Sequence, residues 1–416
     1  MIETRKEAES VLLIGVELQQ TENFAMSMEE LANLVKTAGA VVKGTYTQKR
    51  EKYDSRTFVG SGKLEEIKRM VEADAIDTVV VNNRLTTRQN VNLEEVLGIK
   101  VIDRMQLILD IFAMRARSHE GKLQVHLAQL KYMLPRLIGQ GVMLSRQAGG
   151  IGSRGPGESQ LELNRRSIRK QITDIERQLK VVEKNRARVR ERRLQSGIFK
   201  IGLIGYTNAG KSTIMNALTD KHQYEADELF ATLDATTKQV QLSDTFQATV
   251  TDTVGFIQDL PTEFISAFKS TLEESMNVDL LLHVIDASDP HHAEQEEVVL
   301  TILQDLDMLD IPRLALYNKL DKTDDGFTPS QFPHVMLSAK DKKAKSHIQM
   351  MIIAKIKTMF EPFEIRVPLK DSYQLHDLGR VSLIDSRSYE GDCEIIKGYI
   401  AKEYKWKLEE FQNGLY

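Results

Sequence analysis

The chain has 416 residues, a net charge of −4 and a hydrophobic fraction of 41%, which together exclude a collagen-like, low-complexity or largely disordered protein. The length allows two or three domains, and the single cysteine, Cys393, excludes an internal disulfide framework and fits a reducing compartment. The first apolar run is too short for a signal peptide and no run approaches the roughly 18 residues of a membrane span, so we expect neither.

The first 110 residues alternate short apolar runs with amphipathic stretches. The pattern predicts strands at 11–16, 41–46, 77–82 and 100–103, separated by helices at 28–38, 63–72 and 91–97. Ser27 is a candidate N-cap of the first helix. Strands that alternate with helices predict a parallel sheet covered by helices, and therefore an α/β domain.

Val59-Gly-Ser-Gly-Lys63 has some features of a phosphate-binding loop. It lacks the first glycine of that motif, and Leu64 stands where serine or threonine is needed. Two interpretations stay open. A second nucleotide loop is the less favoured one, and a turn that opens the following helix is the more favoured.

Residues 111–196 contain two seams of leucine and isoleucine at heptad spacing. The seams are formed by Leu123, Leu127, Leu130, Leu134 and Leu137, and by Ile168, Ile172, Ile175, Leu179 and Val182. Two such seams predict an antiparallel coiled-coil hairpin. Its second helix, 161–193, would be about 50 Å long at 1.5 Å per residue.

The hairpin is basic and its tip is rich in glycine. Residues 139–157 hold seven glycines among 19 residues and are predicted to form a long loop. Residues 165–193 hold 12 Lys or Arg against four Asp or Glu, a local charge of +8. Such a strip favours salt-dependent nucleic-acid binding, and RNA suits it better than duplex DNA because no helix-turn-helix or zinc pattern is present. A solvated helix face with a linker remains the alternative.

A phosphate-binding loop follows the hairpin. The apolar run 201–204 leads into Gly205-Tyr-Thr-Asn-Ala-Gly-Lys-Ser212, and a helical stretch continues to Leu218. Strand, glycine loop, Lys-Ser and helix in this order are typical of a loop whose backbone N–H groups surround a phosphate. We expect Lys211 to reach the terminal phosphates and Ser212 to hold Mg²⁺.

Two later segments carry the residues of a γ-phosphate switch. Phe230-Ala-Thr-Leu-Asp234 and the two threonines at 236 and 237 offer candidates for a threonine that senses the γ-phosphate through Mg²⁺. A predicted antiparallel strand pair then ends in Asp252-Thr-Val-Gly255, where Asp252 is placed to hold Mg²⁺ through water and the N–H of Gly255 to meet the γ-phosphate. Phe256 stands where a glutamine often orients the attacking water, so we expect slow intrinsic hydrolysis that a partner accelerates.

A guanine site is predicted further along. The strand 313–317 ends in Asn318-Lys-Leu-Asp321, and an aspartate there can accept hydrogen bonds from the amide and amine of guanine while rejecting adenine. Asn318 would brace the phosphate loop and Lys319 would pack its stem over the base. The turn at 338–340 would meet the guanine oxygen. Four motifs in this order, with Asp252 41 positions after Lys211 and Asn318 66 positions after Asp252, predict a GTPase and argue against a metabolic P-loop kinase.

The last 54 residues predict a small α/β domain, with a strand at 363–368 and a short helix at 371–379. The segments 381–385 and 393–400 are predicted to be two strands or a strand and a helix. Trp406 lies between Lys405 and Lys407 and could stack on a base. A rim aromatic that fills the small core is the favoured interpretation.

The motifs together resemble those of HflX GTPases. The resemblance covers nearly the whole chain and includes the distinctive Gly152-Ser-Arg-Gly-Pro-Gly-Glu-Ser-Gln-Leu-Glu162. It implies a bacterial, cytoplasmic GTPase that binds the large ribosomal subunit and its rRNA through the hairpin, the tip 139–157 and the basic helix 165–193, and that splits stalled or idle ribosomes. It also implies Thr232 as the Mg²⁺-sensing threonine. Family members have been linked to ATP binding by the N-terminal domain, which residues 59–63 do not establish.

The complete prediction is a multidomain α/β protein, acting as a monomer with GTP, GDP and Mg²⁺. Its parts are an N-terminal parallel α/β domain (1–110), an antiparallel coiled-coil hairpin (111–196), a P-loop GTPase domain (197–362) and a small C-terminal α/β domain (363–416). The catalytic residues are predicted to be Lys211, Thr232 and Gly255, and the metal-binding residues Ser212, Thr232 and Asp252. The nucleotide-binding residues are predicted to be Gly205, Tyr206, Thr207, Asn208, Ala209, Gly210, Lys211, Ser212, Phe230, Ala231, Thr232, Leu233, Asp234, Asp252, Thr253, Val254, Gly255, Asn318, Lys319, Leu320, Asp321, Ser338, Ala339 and Lys340.

Two alternatives to ribosome splitting stay open. One is a GTP-regulated RNA-binding checkpoint factor in large-subunit assembly. The other is a partner of an RNA-modifying enzyme whose chemistry lies in another chain.

Overall fold

A computed structural model describes residues 8–20, 23–147, 156–194, 197–219, 229–230, 236–253, 255–257, 278–323, 326–369 and 375–412. The chain divides into two compact units. The first comprises Met1–Glu183, Asp227–Leu233 and Gln258–Lys269, and the second comprises Lys184–Ala226, Asp234–Ile257 and Ser270–Tyr416. In the part of the chain described, no helix has the length and apolar character needed to cross a bilayer.

The first unit contains a four-stranded parallel sheet with strand order β2-β1-β3-β4. Its elements are β1 (Ser10–Leu18), α1 (Phe24–Thr37), β2 (Val41–Arg50), α2 (Ser61–Ala73), β3 (Thr78–Val81), α3 (Thr87–Leu97) and β4 (Lys100–Asp103). The central strands are buried on both faces, as their continuous apolar runs require. The predicted parallel α/β domain is therefore confirmed.

Two details at helix starts differ from or refine the prediction. Helix α1 begins at Phe24 with Asn23 as its N-cap, so the assignment of Ser27 as N-cap was wrong. Ser27 is buried inside the helix, and its hydroxyl accepts a hydrogen bond from the side chain of Asn82 at 2.9 Å. Gly60 is the N-cap of α2, and its N–H donates to the side chain of Gln48 at 2.9 Å, which is the turn that the favoured interpretation of 59–63 predicted.

The hairpin follows α4 (Arg104–Arg115) and consists of α5 (His119–Gln147) and α6 (Pro156–Leu194). Leu127, Leu130 and Ile175 form its buried centre, and the partly buried seam residues Leu123, Ile168, Ile172 and Leu179 pack around them. Lys131 and Glu176 add an ion pair of 2.9 Å between the helices. These contacts confirm the predicted coiled-coil pairing.

The glycine-rich segment is more helical than predicted. Helix α5 continues to Gln147 and α6 already begins at Pro156, so a loop over all of 139–157 was wrong, and residues 148–155 lie outside the described part. A glycine inside a helix costs only about 1 kcal/mol relative to alanine. Two glycines among the good helix formers of 139–147 are therefore tolerated.

The second unit contains a six-stranded sheet with order β10-β9-β8-β5-β7-β6, in which only β6 is antiparallel to its neighbour. Its elements are β5 (Phe199–Gly205), α7 (Lys211–Leu218), β6 (Thr236–Gln241), β7 (Gln247–Asp252), β8 (Leu280–Asp286), α8 (His292–Asp305), β9 (Arg313–Asn318), β10 (His334–Met336) and α9 (Ala344–Met359). Side chains of β5, β8 and β9 meet those of α7 and α9 in the main core.

A separate three-stranded antiparallel sheet, of order β11-β13-β12, ends the chain. It comprises β11 (Glu361–Pro368), α10 (Leu375–Val381), β12 (Ser382–Glu390), β13 (Cys393–Ile400) and α11 (Trp406–Gln412). The interpretation of Trp406 as a core-filling aromatic was wrong, because its side chain is 54% exposed while Leu408, on the same helix, is 5% exposed and fills the core.

Candidate functional site

The predicted site residues that the structure describes in the second unit lie at one edge of the six-stranded sheet. Strands β5, β7, β8 and β9 end at Gly205, Asp252, Asp286 and Asn318, and all four are parallel. The carboxyl ends of parallel strands point to the same edge, which is where ligands bind in open α/β sheets. Motifs far apart in sequence are therefore brought together by the strand order.

The loop after β5 has the shape of a phosphate cradle. Gly210 is the N-cap of α7 and has φ +97°, a left-handed conformation that glycine adopts without strain. A Cβ atom at Gly210 would collide with the side-chain amide of Asn318. That amide donates to the carbonyl of Ala209 at 3.0 Å, and so links the loop to the end of β9.

Lys211 is buried inside this loop. Its ammonium donates to the carbonyls of Gly205 at 3.1 Å and Tyr206 at 2.7 Å. Burial lowers the pKa of Lys211 to about 8, and the nearby carboxylate of Asp252 raises it only partly back. The protein therefore holds a buried cation that donates hydrogen bonds to neutral carbonyls, which is an arrangement suited to an anion of high charge.

A serine and an aspartate meet beside the lysine. The hydroxyl of Ser212 donates to the carboxylate of Asp252 at 2.8 Å, and Asp252 is fully buried. The next residue, Thr253, is fixed by its hydroxyl, which donates to the carbonyl of Leu203 at 2.7 Å. These contacts hold two hard oxygen donors next to the phosphate loop.

These two oxygens fit a magnesium ion. Mg²⁺ prefers hard oxygen ligands and usually takes one or two from the protein and the rest from phosphates and water. A group of three or more His, Cys, Asp or Glu side chains that could hold a metal ion is not found among the residues that the structure describes.

The residues after Asp252 lie against the phosphate loop. The N–H of Phe256 donates to the carbonyl of Gly205 at 3.1 Å, and the N–H of Thr207 donates to the carbonyl of Phe256 at 2.8 Å. A Cβ atom at Gly255 would lie 2.9 Å from the backbone Cα of Thr207 and 2.9 Å from the ammonium of Lys211, so only glycine fits there without displacement. The phenyl ring of Phe256 is buried and carries no polar atom that could orient water.

The predicted threonine switch is only partly within the described residues. Ala231, Thr232, Leu233, Asp234 and Val254 lie outside them. Phe230 is described and belongs to the first unit, where its ring lies 4.5 Å from that of Phe112. In that unit, the N–H of Leu229 donates to the hydroxyl of Thr37 at 3.3 Å.

The predicted base-recognition residues are brought together. The N–H of Ala339 donates to the side-chain oxygen of Asn318 at 2.9 Å, so one asparagine holds both the phosphate loop and the turn at 338–340. A hydrogen bond from Ser338 lowers the pKa of Asp321, which keeps the exposed carboxylate ionised. An ionised carboxylate beside backbone amides can accept two N–H groups of a base edge.

One residue of this edge was not predicted. Asp286, at the end of β8, forms an ion pair of 2.7 Å with Lys319. The available signal was a buried strand that ends in Asp286-Ala-Ser288, an aspartate turn at the same sheet edge as the other motifs.

Family models match three successive parts of the chain. They are described as GTP-binding GTPase N-terminal (residues 25–113), GTP-binding GTPase Middle Region (115–193) and 50S ribosome-binding GTPase (200–319). Together these matches span most of the chain.

Similar full-length proteins carry the name GTPase HflX. The protein of Alkalihalophilus pseudofirmus is 45% identical over 95% of this chain and 94% of its own length. The protein of Caldanaerobacter subterraneus is 42% identical over 99% of this chain and 95% of its own length. The protein of Escherichia coli is 44% identical over 76% of this chain and 74% of its own length. With this identity over nearly its whole length, the chain belongs to the HflX family and is a GTPase.

Proposed function

We propose that the edge of the six-stranded sheet binds GTP with a fixed division of roles. The loop 205–212 surrounds the phosphates, and Lys211 neutralises their charge. Asn318-Lys-Leu-Asp321 and the turn at 338–340 bind the guanine ring, with Asp321 as the acceptor that rejects adenine. The observation that supports this assignment is Asn318, whose side chain holds both halves of the site.

Mg²⁺ would be held by Ser212 and, through water, by Asp252, and Thr232 would complete the set in the GTP-bound state. The ion would draw negative charge from the phosphate oxygens and so ease transfer of the γ-phosphoryl group to water. The N–H of Gly255 would donate to the γ-phosphate, which couples the presence of that phosphate to the position of residues 255–257.

Phe256 leads us to propose that a partner completes the hydrolytic machinery. A buried phenyl ring cannot position the attacking water, so intrinsic turnover should be slow. A partner that orders the switch segments or supplies a polar group would raise it. Fast GTP turnover by the isolated protein, unchanged on ribosomes, would contradict this proposal.

The lowered pKa of Lys211 predicts that GTP binding takes up a proton. The free-state pKa is about 8, and a bound triphosphate favours the charged form and raises it. Above pH 8 the free protein holds neutral Lys211 and must bind a proton together with the nucleotide, so affinity falls as pH rises. Between pH 7 and 8.5 we expect about a fourfold weaker Kd for GTP, from the loss of charged Lys211 in the free state.

Calorimetric titration in two buffers of different ionisation enthalpy measures this proton uptake directly. The upper limit of pH 8.5 keeps the guanine ring itself protonated. A Kd that is flat over the interval, with no buffer-dependent heat, would show that Lys211 is fully charged before the nucleotide arrives.

We propose that the protein acts as a monomer in the cytoplasm, binds the large ribosomal subunit through the hairpin and its tip, and splits stalled or idle 70S ribosomes in a GTP-dependent manner. The basic surface of α6 supports the proposal, because Arg166, Arg169, Lys170 and Lys180 are exposed and lie outside the seam. Exposed cations in a strip are suited to phosphates of folded RNA. The description of the model matched at 200–319, a 50S ribosome-binding GTPase, is in line with it.

Sucrose-gradient profiles of 70S ribosomes test this function. We expect free subunits to accumulate with the protein and GTP, and fewer to accumulate with GDP. A non-hydrolysable GTP analogue should still split ribosomes but leave the protein on the large subunit, since hydrolysis then serves release. Intact 70S peaks under all three conditions would reject splitting.

Binding to free large subunits without splitting would favour the alternative, a GTP-regulated checkpoint in subunit assembly. The checkpoint alternative is supported by the same basic helix, because exposed cations on α6 could bind the RNA of a mature or an immature large subunit. Co-purification with an RNA-modifying enzyme would instead favour a partner role.

A further inference from the structure

Asp286 lies beside the guanine-site motif although it belongs to a different strand. In the parallel register of β8 and β9 its pairing partner is Asn318. The N–H of Ala287 donates to the carbonyl of Asn318 at 2.9 Å, which ties the end of β8 to the start of the motif. The side chain of Asp286 is thus held at a fixed distance from residues 318–321.

Both carboxylate oxygens of Asp286 have specific partners. One oxygen accepts the ammonium of Lys319 at 2.7 Å. The other accepts the N–H and the hydroxyl of Ser288, at 3.0 and 2.7 Å. The serine fixes the orientation of the carboxylate, and the carboxylate then fixes the ammonium.

Lys319 is constrained at its backbone as well. Its φ is +63°, in the left-handed region that residues with a Cβ rarely adopt. The side chains of Lys319 and Asp286 are 20% and 13% exposed, so water screens their ion pair only weakly. With both ends of the side chain held, the four-carbon stem between them follows one path.

We infer that Asp286 is a positioning residue for nucleotide binding. By holding the ammonium of Lys319, it sets the lysine stem in place as an apolar platform for the flat face of guanine before the nucleotide arrives. Groups that are already in their bound conformation lose less entropy on binding, which slows release of the nucleotide. The inference rests on the proposed guanine site at 318–321.

The substitution Asp286→Asn tests the inference because asparagine keeps an oxygen for Ser288 and loses the charge that holds Lys319. We expect GDP to dissociate about tenfold faster, the factor for losing one charge-assisted hydrogen bond. The melting temperature of the nucleotide-free protein should fall, because Lys319 loses the partner of a weakly screened ion pair, so GDP release is measured well below that temperature. Inosine diphosphate, which lacks the exocyclic amine, should be affected by the same factor as GDP because the platform touches the ring face.

A double-mutant cycle with Lys319→Met separates positioning from a general structural role. Methionine keeps an apolar stem without the ammonium, so Asp286→Asn should have no further effect on GDP release in that background. Ser288→Ala gives a graded comparison, because it removes one of the two hydrogen bonds that orient the carboxylate but keeps the N–H of residue 288 and the charge of Asp286, so it should speed GDP release less than Asp286→Asn does. A full effect of Asp286→Asn in the Lys319→Met background, or unchanged GDP release in the single variant, would overturn the inference.

The substitution Asp321→Asn distinguishes a failure of the guanine-site assignment from a failure of the inference about Asp286. A carboxamide there can donate to the carbonyl that xanthine carries in place of the guanine amine, so the preference should shift from GDP to xanthosine diphosphate. If Asp321→Asn does not shift the preference, the guanine-site assignment fails, whatever the result at Asp286.

Discussion

Replacement of Lys211 by methionine is expected to abolish GTP turnover while making the nucleotide-free protein more stable. The ammonium is the main cation in the phosphate cradle, and its loss should lower kcat/KM for GTP at least about 1,000-fold, as for other preorganised charge-stabilising groups in closed sites. The stability gain follows from the same burial that lowers the lysine pKa.

The sign of the stability effect follows from the pKa. A base whose pKa falls from 10.5 to about 8 on folding carries a penalty that is fully present below pH 8 and disappears as the pH rises toward 10.5. The penalty is about 3 kcal/mol at pH 7, at 1.36 kcal/mol per pKa unit. Methionine removes it, and the carbonyls of Gly205 and Tyr206 keep the backbone N–H groups of Phe256 and Ala209 as partners.

The measurement is thermal unfolding without nucleotide at pH 7, together with GTP turnover. We expect the melting temperature to rise by about 2–6 °C, since roughly 1–2 kcal/mol should survive loss of the two lysine hydrogen bonds. Lys43→Met, at an exposed site on β2, is the control and should change neither quantity. A lower melting temperature for Lys211→Met would show that the buried ammonium stabilises the free protein.

Neutralising the exposed cations of α6 is expected to weaken binding to large ribosomal subunits by about 100- to 1,000-fold near physiological salt. The variant carries Arg166→Gln, Arg169→Gln, Lys170→Gln and Lys180→Gln, all at exposed positions outside the seam. Each lost phosphate contact should lower the slope of log Kd against log salt by about 0.7–0.9. The slope is therefore the sharper readout.

The matched control replaces Gln171 and Gln178, exposed neutral residues of the same helix, by alanine. Its salt slope should equal that of the parent protein. GTP turnover without ribosomes should be unchanged in both variants because the substitutions lie in the first unit. An unchanged slope in the fourfold variant would mean that the basic strip of α6 does not contact the RNA.

The features that could be predicted from the sequence are those that need a particular residue type at a particular position in a short segment. A phosphate cradle needs glycine at positions such as Gly210, and a helix that buries one side needs heptad spacing such as that of Leu123 to Leu130. These patterns are visible in a single chain because the residues act on their immediate neighbours.

The features that escaped prediction depend on distant partners. Ser27 could have capped a helix, but its hydroxyl is used by Asn82, which only the pairing of strands brings close. Asp286 gains its partner Lys319 because β8 and β9 are adjacent in the sheet, and sequence order alone does not specify that adjacency. Trp406 was misassigned because residues two apart on a helix point to nearly opposite sides, so Trp406 and Leu408 cannot both face the small core.

The heptad seam of the hairpin allows its length to change independently of the residues at its tip. Because Leu123 to Leu130 pair with residues 168–179 at a repeat of seven, removing one heptad from each helix keeps every remaining seam residue facing its partner. The tip would withdraw by about 10 Å, seven residues at 1.5 Å each, with its own sequence untouched. The length of the hairpin can thus change in steps of one heptad. Each step changes how far the tip reaches without altering the residues at the tip.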